Sequence, residues 1–150
     1  MNHIDPGAAA TAREIEQLWP ELSQDCTAPA TEEAVEAAER ALGVRFPKSY
    51  CAFLRRSGSG SVNGYEIFGI PGDQLWGDVV RMNQLASRRM PCGCVRFMED
   101  VGDYSHCLDT GRIDESGECA VVIFGPSAAG TLVATSFLEF LRKTKEGLIG

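Results

Sequence analysis

Histidine is scarce in this chain, with only His3 and His106 present. Nucleophilic catalysis needs a Ser, Cys or Thr activated by an adjacent base, and His3 lies in a small, polar N-terminal segment, which leaves His106. Its neighbour Cys107 shares a predicted strand, where consecutive side chains point to opposite faces, so the two cannot form a dyad. Basic residues are also few: 14 Lys and Arg stand against 21 Asp and Glu, a formal net charge of −7. A chain with that balance repels a phosphate backbone, which argues against nucleic acid as a partner. No apolar run reaches the roughly 18 residues that a membrane-spanning helix requires. The opening residues, MNHIDPGAAATAREIEQLW, lack the basic segment and apolar stretch of a secretory leader, so a cytoplasmic setting is expected. The glycine-rich segment Ser57–Ser61 follows a predicted helix and has no Gly-Lys-Ser/Thr after it, which excludes a phosphate cradle.

What is present reads as one α+β domain. Apolar residues make up 44% and charged residues 23%, a globular balance. Residues 1–10 are expected to form a disordered tail, and residues 11–150 the domain. Thr11 to Glu14 has the pattern of a capping box, followed by the apolar stripe Ile15, Leu18, Trp19 and Leu22. Thr31 is a suitable N-cap for a second helix, with Glu32 and Glu33 meeting the positive end of its dipole. The segment LGVRFPKSYCAFL (Leu42–Leu54) then reads as helix end, turn and helix start: Gly43 closes one helix, and Pro47 sits in the first turn of the next. Tyr50, Phe53 and Leu54 make one apolar stripe.

Beyond this corner the periodicity shortens towards two. Strands are predicted at Tyr65–Ile70, Cys94–Met98, Tyr104–Leu108, Cys119–Phe124 and Thr131–Ala134, the last after a small-residue turn over Pro126–Gly130. Leu75–Met90 reads as a loop carrying a short helix. Their order resembles a meander, so the sheet is expected to be antiparallel. Ser136-Phe-Leu-Glu139 is a second capping box that starts a final helix, and Gly147 is its natural stop.

The six cysteines are Cys26, Cys51, Cys92, Cys94, Cys107 and Cys119. In a reducing compartment they are expected as free thiols, with Cys51, Cys107 and Cys119 as small core residues. Cys92 and Cys94, with His106 and Cys107, contain enough soft donors for zinc, but the Cys-x-Cys spacing is not that of a knuckle and no second close pair exists. No metal or other cofactor is assigned. Glu99, Asp100, Asp103 and Asp109 gather at predicted strand ends, where they offer turn chemistry, a recognition surface or hard oxygen ligands. EF-hand spacing is absent, and no catalytic pair is assigned.

The segment Thr31–Gly60 resembles the N-terminal signature of the SMI1/KNR4 (SUKH) superfamily. Further correspondence lies in Gly58-Ser-Gly60 with Tyr65–Ile70, in Pro91, Phe97, Asp100, Gly102, Cys107, Leu108 and Asp109, in Gly117-Glu118 with Val121-Val122, and in Ser136-Phe137 with Glu139-Phe140-Leu141. The resemblance runs from about residue 10 to 146. Departures are Ser59, where many relatives have glycine, and Phe46, where leucine is usual.

The resemblance implies a curved, mainly antiparallel sheet flanked by helices, and a protein that binds rather than catalyses. It implies an immunity protein that occludes a bacterial polymorphic or contact-dependent toxin domain, such as a nuclease; the alternative is a cytosolic regulatory or scaffold domain with a protein partner unrelated to any toxin. From charge and strand ends, the expected partner surface comprises the acidic residues Glu66, Asp73, Asp78, Glu99, Asp100, Asp103, Asp114, Glu115 and Glu118. Tyr65 and Trp76 are its expected aromatic anchors. The same acidity also serves ordinary solubility.

Overall fold

The structure is a computed structural model that describes residues 13–18, 29–62, 64–72, 77–85, 90–100 and 102–147. The expected tail at residues 1–10, the cap at Thr11, and Trp19, Leu22, Cys26, Asp73 and Trp76 lie outside these residues. Helix α1 (residues 13–18) brings Ile15 fully into the core. Thr31 starts α2 (Glu32–Leu42) as expected, its hydroxyl accepting from the Ala34 N–H at 3.1 Å. Gly43 ends α2 in the left-handed region at φ +69°, a conformation that costs glycine little.

The connector to α3 (Lys48–Ser57) is tied to the helix it leaves. Val44 donates to the Glu39 carbonyl at 3.0 Å, and the Phe46 N–H donates to the Glu39 carboxylate at 2.7 Å. Pro47 is the N-cap of α3 rather than its first helical residue. It lacks a side chain able to accept a hydrogen bond, so the helix start is satisfied from elsewhere in the fold, as described below.

Six strands form two antiparallel sheets: the hairpin β1 (Gly60–Val62) with β2 (Tyr65–Ile67), and the meander β3 (Cys94–Glu99), β4 (Ser105–Asp109), β5 (Val121–Gly125) and β6 (Ala128–Ala134). The meander matches the expected order. Strand β1 is an addition, because the glycine-rich segment that reads as a pure turn enters the hairpin at Gly60. Strand β2 stops at Ile67, and Gly69 instead forms an isolated parallel bridge to Asp78. A Cβ on Gly69 would lie 1.9 Å from the Gly58 carbonyl oxygen, so no larger residue fits this approach. Residues Ala128–Gly130 belong to β6 rather than to the turn. Register shifts place extra residues in β3 between Arg96 and Met98 and in β6 at Gly130 and Val133, opposite β5, and such bulges bend the strands they occupy.

The core lies between this meander and helices α3 and α5 (Phe137–Lys145). Tyr50, Phe53, Phe97, Phe137 and Phe140 are all fully buried. Tyr50 meets Phe46 and Phe137 edge-on at centroid distances of 5.0 and 5.2 Å and stacks on Phe53 at 5.7 Å. Its hydroxyl donates to the Phe68 carbonyl at 2.6 Å, which fastens the segment after β2 to α3. Ser136 and Glu139 cap α5 as expected, with the Glu139 carboxylate reaching back to the N–H and hydroxyl of Thr135.

The two outer strands of the meander differ. Beside β3, the short helix α4 (Val79–Gln84) presents Asn83, whose side-chain amide donates to the Arg96 carbonyl and accepts from the Arg96 N–H, each at 2.9 Å. A second donor bond from Asn83 reaches the Val79 carbonyl at 2.7 Å. The Phe68 N–H donates to the Phe97 carbonyl at 2.7 Å. This edge is therefore occupied by a side chain that imitates a strand. Strand β6 has no further strand beside it among the described residues.

Replacing Tyr50 with Phe is expected to lower stability by about 1–2 kcal/mol, the loss of one buried hydrogen bond with its acceptor left unpaired. Phe137→Ala is expected to cost roughly 3–5 kcal/mol through the cavity it leaves. Urea denaturation measures both, and equal losses would contradict the assigned roles.

Candidate partner-binding surface

The acidic residues singled out above fall into three groups. The first is on β2 and the start of α4. Glu66 is exposed, and its carboxylate lies close over Gly77, where an added Cβ would meet it at 3.1 Å. Tyr65 is half-buried and packs against the core. Asp78 is the N-cap of α4, accepting from the N–H groups of Val80 and Arg81 at 2.9 and 3.1 Å.

The second group forms the β3–β4 turn. Glu99 is exposed and paired with the buried Arg96 guanidinium, which also donates to the Met82 carbonyl and lies 5.7 Å from the Phe68 ring centroid. Asp100 organises the turn by accepting from Gly102 and Tyr104 at 2.9 and 3.1 Å. Asp103 is exposed and has φ +64°, the sole non-glycine positive φ among the described residues. Aspartate tolerates that left-handed conformation better than most side chains.

The third group lies in the β4–β5 connection. Asp114 accepts from the Ser116 N–H, the Ser116 hydroxyl and the Glu118 N–H, and these bonds, the hydroxyl first, hold its carboxyl below the usual range. Glu118 reaches across to α3, accepting from the Ser49 N–H at 3.1 Å and the Ser49 hydroxyl at 2.6 Å. The Lys48 N–H adds a bond to the Gly117 carbonyl at 2.9 Å. This connection supplies the acceptors that Pro47 cannot, and the Glu118 charge faces the positive end of the helix dipole. Burial raises the Glu118 carboxyl from its ordinary value, with the Ser49 bonds acting in the opposite sense. Glu115 is exposed.

Because β4 runs between the second and third groups, they occupy opposite ends of the meander, separated by its five residues, about 17 Å of strand. The structure thus divides the acidic set rather than gathering it into one patch. Asp78, Asp100, Asp114 and Glu118 share their carboxylates with the protein's own backbone. Glu66, Asp103 and Glu115 hold theirs outward, one in each group.

The potential zinc ligands are also divided. Cys92 is exposed, Cys94 half-buried, and Cys107 fully buried with its sulfur 3.6 Å from that of Met90. His106 faces the other side of the sheet, beside Phe97 and Phe140 at 6.4 and 5.7 Å. Among the described residues no three His, Cys, Asp or Glu side chains converge as metal ligands. Burial pushes the thiols of Cys51, Cys107 and Cys119 up to about 12, which leaves them in the unreactive thiol form. No helix among the described residues is long and apolar enough to cross a membrane.

Helices packed on an open antiparallel meander, with a short hairpin joined to its first strand, define an α+β domain whose exposed loops carry acidic side chains. The chain belongs to the SMI1 / KNR4 family (SUKH-1), whose model matches residues 29–143. That family includes immunity proteins.

His106 gives the fold a pH dependence. It is 5% exposed, and its Nδ1 has no hydrogen-bond partner among the described residues. Burial lowers its pKa, with Asp100 acting weakly in the opposite sense. As pH falls below about 6.5 the unfolded chain takes up this proton before the folded one, so stability declines by at most about 1.4 kcal/mol per pH unit until the folded pKa is passed. Urea midpoints taken from about pH 7.5 to about pH 5.5 are expected to fall in the parent. They should fall less in His106→Leu, and equal slopes would refute the assignment.

Proposed function

We propose that this protein is an immunity protein: it binds a toxin domain made by the same cell and neutralises it by covering the active site or substrate groove. Membership of a family that includes immunity proteins carries this reading, and the net charge of −7 suits a basic target such as a nuclease. Opposite charges speed encounter and select among partners. The partner-facing residues are the outward carboxylates Glu66, Asp103 and Glu115, together with the exposed Glu99 paired to Arg96, with Tyr65 as an aromatic contact. Asp78, Asp100, Asp114 and Glu118 hold the loops that present them. Asp73 and Trp76, on the connection between Gly72 and Gly77, complete the proposed surface. The protein acts in the cytoplasm and requires no cofactor for this role.

The test is binding to toxin domains encoded by the neighbouring open reading frames, measured by calorimetry and by protection of cells that express them. The parent chain is expected to bind and protect; absence of both would overturn the function. Glu66→Gln, Asp103→Asn and Glu115→Gln each remove one outward charge without disturbing a cap. At least one is expected to slow association several-fold and flatten its salt dependence, as loss of a rim charge does. If all three match the parent while binding persists, the acidic placement is refuted and the function stands.

A further inference from the structure

The outer face of the meander holds a cluster of sulfur donors that neither the core nor the acidic loops use. Val95 lies opposite Leu108, and both face the core. Alternation therefore turns Cys94 and Arg96 of β3, with Cys107 of β4, towards the other face. Met90, on the segment that leads into β3, closes over them: its sulfur lies 3.6 Å from that of the fully buried Cys107. Cys94 opposes Asp109 and Arg96 opposes Cys107 in the ladder, so Cys94 and Cys107 are diagonal neighbours. Such a pair stands about 7–8 Å apart at the backbone and less at Cβ, which exceeds the usual span of a disulfide. A single ion bridges that gap. Two sulfurs each about 2.3 Å from one metal are about 3.8–4.0 Å apart in a tetrahedral or trigonal arrangement, and the Cys107–Met90 spacing is already close to that.

The surroundings indicate the charge that this cluster accommodates. Arg96 is 6% exposed, and its Nε has no hydrogen-bond partner among the described residues. A buried donor without an acceptor is uncommon in folded proteins, and the cross-strand neighbour of this residue is Cys107. As a thiolate, Cys107 would supply an acceptor beside it. Burial raises that thiol most and Cys94 adds to the rise, whereas Arg96 acts to lower it. A coordinated metal removes a thiol proton outright, which makes both cysteines anions next to a fixed cation. The donor set then selects among metals. Two thiolates and a thioether are soft ligands that suit copper(I). Zinc favours four nitrogen, oxygen or thiolate donors, and His106 faces the far side of the sheet beside Phe97 and Phe140.

We propose that Met90, Cys94 and Cys107 form a three-coordinate copper(I) site on the outer face of the meander. Binding releases two protons, one from each thiol, with no change of oxidation state. Two thiolates and one monovalent ion leave a single negative charge, which the Arg96 guanidinium offsets. The ion ties the segment after α4 to β3 and β4. This inference does not depend on the toxin reading, because none of the three donors belongs to the proposed partner surface.

Anaerobic titration of the full chain with copper(I), in competition with a chromogenic copper(I) chelator, tests it. The parent is expected to retain one equivalent, with sulfur alone in the first shell by X-ray absorption. Cys94→Ser and Met90→Leu, both at half-buried positions, are each expected to weaken binding by about tenfold or more, with the copper-free circular dichroism spectrum of the parent. Cys92→Ser and His106→Leu are expected to bind as the parent does. A second measurement needs no variant: a ligand that binds only the folded chain raises its thermal midpoint, and one equivalent of copper(I) should do so. A parent that yields its copper to the chelator, an unmoved midpoint, an affinity unchanged in both Cys94→Ser and Met90→Leu, or an equal loss in Cys92→Ser would each overturn the proposal.

Discussion

A tyrosine hydroxyl sealed inside a ring cluster must have an acceptor, and Tyr50 meets this demand at the Phe68 carbonyl. The consequences extend outward. For that carbonyl to reach α3, the segment after β2 has to run close beneath it, which brings Gly69 against Gly58 and excludes a side chain there. The same segment places the Phe68 N–H on the Phe97 carbonyl, joining the hairpin to the meander. One phenolic proton thus helps to position two sheets and a helix, and desolvation raises its pKa well above the ordinary value, so it stays neutral and continues to donate.

A second polar link works the same way one residue earlier in α3, at Ser49. Pro47 preorganises the backbone for a helix but offers no capping side chain. Glu118 fills that gap from a loop distant in sequence, and Asp114 holds the loop in the shape that permits it. These two carboxylates explain why acidic residues in this chain do not amount to an acidic face. Several are engaged with backbone N–H groups, where their position is set by folding, and a smaller number project outward.

Helices α2, α3 and α5 are readable from the chain because their signals are local: Thr31, Gly43 and Ser136 act within a few residues of where they stand. The order of the meander is readable for the same reason, from alternating strands and turn-rich breaks. The β1–β2 hairpin carried its own signal, Asn63-Gly64 between Val62 and Tyr65, which favours a tight hairpin, but the neighbouring glycines obscured it. The start of β6 was hidden because Ala128, Ala129 and Gly130 have low strand propensity and form a strand through pairing with β5. Links such as Glu118 to Ser49 and Asn83 to Arg96 span 69 and 13 positions, and no local pattern encodes them. For the acidic set, composition identifies the carboxylates, but only the fold separates those bound internally from those that face solvent.

The Asn83 amide has a further consequence for assembly. A sheet with two bare margins can propagate indefinitely, each added molecule offering a fresh margin to the next, which is the route to filaments. Here the β3 margin is covered at Arg96 by a side chain of the same molecule, and the β6 margin is broken by extra residues at Gly130 and Val133. A primary amide on a six-residue helix and two bulges therefore act together as chain stoppers.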